Sequence, residues 1–82
     1  MQQPNRSIVD TTLDSVTVIN AIINTDYYSQ ETTDDKKNNV KRNVDHLVIM
    51  LSNDEFNSAS TDLQKVLVNQ IIEKGNTYIS SL

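Results

Sequence analysis

His46 is the only histidine in this 82-residue chain, so any search for chemistry starts there. A nucleophilic triad needs such a base beside a hydroxyl or thiol, and the chain has no cysteine. If residues 44–51 form a helix, His46 falls opposite Val44, Val48 and Leu51 and is expected to face water. Paired carboxylates occur only as the sequence neighbours Asp34-Asp35 and Asp54-Glu55. Neighbours on a helix diverge by about 100° and do not face each other. Both pairs also sit in cap or linker positions, where acids are expected for structural reasons. General acid–base catalysis therefore has no partnered groups, and no enzymatic activity is expected. A single glycine cannot build a phosphate-cradling loop. One histidine without cysteine cannot close a zinc site, and no alternating run of acids fits a calcium loop. No catalytic residue, metal ligand, cofactor or small-molecule substrate is assigned.

The one basic cluster is Lys36, Lys37, Lys41 and Arg42. It offers a contact for phosphate or for an acidic partner. The competing account is a solvated face balanced by Asp34, Asp35 and Asp45 at helical spacing, and this account is preferred. The net charge of −4, from eleven acids and seven bases, opposes nonspecific nucleic-acid binding. A weak nucleic-acid binder working through this cluster stays as a subordinate alternative.

These groups must be carried by helices. One glycine and one proline are too few for a turn-rich β fold. The expectation is an all-α, three-helix bundle occupying residues 7–82, with short linkers and a flexible arm over 1–6. The first helix is placed at about 8–27, capped by Ser7, with Val9, Leu13, Val16, Ile23 and Tyr27 on its inner face. Its many β-branched residues make a strand over Val16–Ile23 the main competitor. The second is placed at 34–52, capped by Thr32 or Thr33, with a seam of Val40, Val44, Leu47 and Leu51 and Val48 beside it. The third is placed at 61–79, capped by Ser60 or Thr61, with Leu63, Leu67, Ile71 and Tyr78 on one side, Val66 near its edge, and Val68, Ile72 and Ile79 extending that face. Gly75 marks either the end of that helix or a close approach by another backbone. Residues 53–60 are expected to be a linker, with Phe56 plugging the helix ends.

The apolar faces are wider than so small a core requires. Val18 and Ile22 on the first helix, Ile49 and Met50 on the second, and Ile72 and Ile79 on the third all fall off the main seams. Scattered exposed apolar residues are normal. A set on every helix points instead to contact with another protein or a second copy. Asn20 lies within the apolar face of the first helix, either buried to set register or turned to solvent at the margin. The longest apolar run, Leu47 to Leu51, is too short to cross a bilayer, so no membrane contact is expected.

The segments Arg42-Asn43-Val44-Asp45-His46-Leu47-Val48-Ile49-Met50-Leu51, Glu55-Phe56 and Glu73-Lys74-Gly75-Asn76-Thr77-Tyr78-Ile79 resemble small uncharacterised tailed-bacteriophage proteins, of the marine cyanobacterial phage type. The likeness covers the second half of the chain. Ten asparagines and eight threonines fit an AT-rich genome. The resemblance implies a phage origin, and with it a small virion structural or accessory subunit. The alternative it implies is a regulator that binds and modulates a host protein. It brings over no functional residue. No basic start followed by an apolar run marks a secretion signal, so the virion or the host cytoplasm is the expected location.

Overall fold

The computed structural model describes residues 7–25 and 27–81. The protein is all-α: α1 (Ile8–Asn24), α2 (Thr33–Leu51), α3 (Asp54–Ala59) and α4 (Asp62–Ser81), with no strand among the described residues. The arm expected over residues 1–6 lies outside the described residues.

Side-chain caps set the helix starts. The Ser7 hydroxyl accepts from the Asp10 N–H at 3.1 Å, and the Asp10 carboxylate accepts from the Ser7 N–H at 3.4 Å. Thr32 accepts from the Asp35 N–H at 3.1 Å, with Asp34 and Asp35 in the positively polarised first turn of α2. Thr61 accepts from the Gln64 N–H at 3.1 Å while the Gln64 amide oxygen accepts from the Thr61 N–H at 2.8 Å. This reciprocal cap satisfies two N–H groups at the exposed α4 start, so Thr61→Ala is expected to cost about 1 kcal/mol in urea denaturation.

α1 ends three residues earlier than expected. The Thr25 hydroxyl donates back to the Ala21 carbonyl at 2.5 Å and accepts from the Tyr27 N–H at 3.2 Å. That local bonding competes with continued helix and turns the chain. Tyr27, expected on the inner face, is therefore 80% exposed in the turn. Its ring stands edge-on to Tyr28, centroids 5.0 Å apart.

The expected linker over 53–60 holds a helix of its own. Asn53 leaves α2 and caps α3, its side-chain oxygen accepting from the Phe56 N–H at 3.0 Å. The Asn57 amide donates to the carbonyls of Leu51 and Asn53 at 2.8 and 3.0 Å, tying α3 to the end of α2. Phe56 is the residue α3 buries, and it is fully enclosed in the core.

α1 and α2 each contact all three of the other helices. The core is Val16, Ile19 and Ile22 from α1, Val40, Val44 and Leu47 from α2, Phe56, and Val68 and Ile71 from α4. The thinnest dimension is 17 Å, room for two layers of helix.

Two inner faces sit elsewhere on their helices than the apolar spacing indicates. On α1 the buried stripe is Thr12, Ser15, Val16, Ile19 and Ile22, while Val9, Leu13 and Ile23 border it. Thr12 can occupy the centre because its hydroxyl donates to the Ile8 carbonyl at 2.7 Å, leaving its methyl to pack. On α4 the stripe is Val68, Ile71 and Gly75, and Leu63 and Leu67 are turned outward. Gly75 lies inside α4, so it is a close-approach position and not a helix end. Side chains approach it, Val44 and Val40, where a backbone was the expectation.

Candidate interaction surface

The residues expected to form surplus contact surface separate once placed. Ile22 is a core residue, 5% exposed, and offers no outer surface. It sits on the Ser15–Ile19–Ile22 ridge that the hydroxyl residues had disguised. Val18, Met50, Ile72 and Ile79 are half-buried and pack against the core. Ile49 alone of the six is largely exposed, at 63%. Asn20 is half-buried, and its side-chain oxygen accepts from the Asn24 amide at 3.0 Å. It is paired along its own helix at the face margin.

His46 is not a water-facing side chain. It is half-buried, and its Nε2 is enclosed with no hydrogen-bond partner among the described residues. α2 packs against α1, α3 and α4. Asn39, Asn43 and Met50, on the same side of the helix as His46, are also half-buried, so α2 is covered on two flanks and not only along its valine seam. An enclosed polar nitrogen without a partner costs about 1–3 kcal/mol. His46→Leu is therefore expected to raise stability by about 1 kcal/mol or more, read as a higher urea midpoint. A lower midpoint would show that the ring makes a bond essential to the fold.

The basic residues do not converge on one patch. Lys37 and Lys41 share a ridge of α2, whereas Lys36 and Arg42 point away on either side, spreading the four over more than half the helix circumference. Lys36 and Lys37 are half-buried, and Lys41 and Arg42 exposed. Among the described residues no ion pair joins the four to Asp34, Asp35 or Asp45. The phosphate arrangement that a nucleic-acid contact needs is a line or cluster of cations, and this fan does not present one.

The outward apolar residues that do converge lie on α4. Leu63 is 78% exposed, Val66 50% and Leu67 38%. With Gln64 and Gln70 they line one hollow. Gln70 is shared with a second hollow of about 560 Å³, whose walls include Ile23 and Asn24 from the end of α1 and Lys74, Thr77 and Tyr78 from α4. The two form a trough along one flank of α4, from Leu63 to Tyr78. A helix rises 1.5 Å per residue, so the trough runs about 22 Å. Its first half carries no charged side chain: Lys65 is half-buried on the other flank, and Glu73 and Lys74 stand at the far end. The hollows are open to solvent, so a small molecule would keep much of its surface wet where a built ligand pocket encloses most of it. An open apolar trough suits the side chains of another protein instead.

Spacing had pointed to this flank as core. Leu63, Leu67, Ile71 and Tyr78 recur as a core stripe should, and nothing in their types distinguishes an outward leucine from an inward one. The signal that discriminates is Gly75, the only glycine, which marks the closest approach and so the true inner face.

No group of three or more His, Cys, Asp or Glu side chains is placed to hold a metal among the described residues. No described helix is long and apolar enough to cross a membrane. No family model, curated protein or solved structure matches this chain.

Proposed function

We propose that this chain is a non-enzymatic protein–protein interaction module, a bundle of three long helices that uses the exposed flank of α4 as its contact surface. The observation that carries the proposal is the convergence of Leu63, Val66 and Leu67 on an uncharged stretch of one helix flank. Those side chains lie outside the core that folds the chain, so their exposure is unexplained by stability. The resemblance to tailed-phage proteins makes a small virion structural or accessory subunit the preferred role. Mass spectrometry of purified particles separates that role from a host-directed regulator, which would be absent from them.

The test compares the wild-type chain with a Leu63→Glu, Leu67→Glu double variant by light scattering and by the proteins that co-purify. Burying each leucine contributes about 1.5–3 kcal/mol, so the double variant is expected to weaken association at least about a hundredfold. Both side chains are exposed, so helicity by circular dichroism is expected to stay at the wild-type level. A strictly monomeric wild-type chain at high concentration, with no co-purifying protein, overturns the proposal. So does association that the double variant leaves intact.

A further inference from the structure

We draw no further inference here: the strongest candidate, the trough along the flank of α4 from Leu63 to Tyr78, belongs to the contact surface already described, and nothing in the structure shows what covers it.

Discussion

Phe56→Ala is expected to lower unfolding stability by about 3–5 kcal/mol, the largest loss of any single truncation in this chain. The total available is small. At roughly 0.05–0.15 kcal/mol per residue, an 82-residue domain holds about 4–12 kcal/mol. Phe56 is the largest of the fully enclosed side chains, and it reaches the core from a helix of six residues. Six residues are far too few for a helix to persist alone in water. α3 therefore exists because Phe56 anchors it and the Asn53 and Asn57 side chains tie it to the end of α2. Removing the ring empties the core and frees the segment between α2 and α4 together. Urea denaturation checks the size of the loss. Amide hydrogen exchange checks its extent, with protection expected to fall across α1, α2 and α4. Loss of protection confined to residues 54–59, with the global midpoint unchanged, would show Phe56 to be a peripheral plug. Phe56→Leu keeps an apolar anchor and is expected to lose less.

The same residue shows what was legible from the sequence. Phe56 is the only large apolar group between residues 53 and 60, so its role as a plug follows from composition. The helix carrying it was missed, although Asn53 followed by Asp54 and Glu55 is a cap followed by first-turn acids. A helix so short has no periodicity to read. The caps were legible at Ser7, and to within one residue at Thr32 and Thr61, because a hydroxyl bonded three residues ahead is a local event. The α2 seam was legible because Val40, Val44 and Leu47 stand among charged and amide neighbours that cannot compete for the core.

The faces of α1 and α4 were harder for a shared reason. Both helices carry more apolar residues than one face holds, so spacing admits several rotations about the axis. On α1 the deciding residues are Thr12 and Ser15, small enough to sit under a crossing helix but counted as polar by type. The burial of His46 escaped notice differently. A helix wheel places a side chain relative to its own axis and says nothing of a second neighbour on the other flank. The exposure of Ile49 was legible and that of the α4 leucines was not. An outward leucine and an inward one look alike until the helix is turned.

What turns α4 is Gly75, and replacing it is the second large expected effect. A Cβ built on Gly75 collides with Cγ2 of Val44, comes to 3.3 Å from Cγ1 of Val40, and reaches Cγ2 of Ile19 at 3.9 Å. α1, α2 and α4 thus meet at one point, and the approach is set by the absent side chain. In an exposed helix, glycine to alanine gains about 1 kcal/mol. Here the added methyl overpacks the core, which costs about 1–3 kcal/mol. The upper part of that range applies, because Val44 is β-branched and held to one rotamer in a helix, so it cannot swing aside. Gly75→Ala is therefore expected to lose about 1–2 kcal/mol net despite its better helix propensity. A cycle with Val44→Ala isolates the cause. Val44→Ala alone leaves a cavity and destabilises. In the double variant the new methyl enters that cavity, so the two losses are expected to fall short of additive by about 0.5–3 kcal/mol. A gain of about 1 kcal/mol for Gly75→Ala, additive with Val44→Ala, would mean the helices are not in contact there. The consequence reaches the surface, because Leu63, Val66 and Leu67 point outward only while Gly75 points in. A variant that rolls α4 to relieve the clash is expected to draw the leucines toward the core and to lose association along with stability. The Leu63→Glu, Leu67→Glu variant, by contrast, is expected to lose association alone.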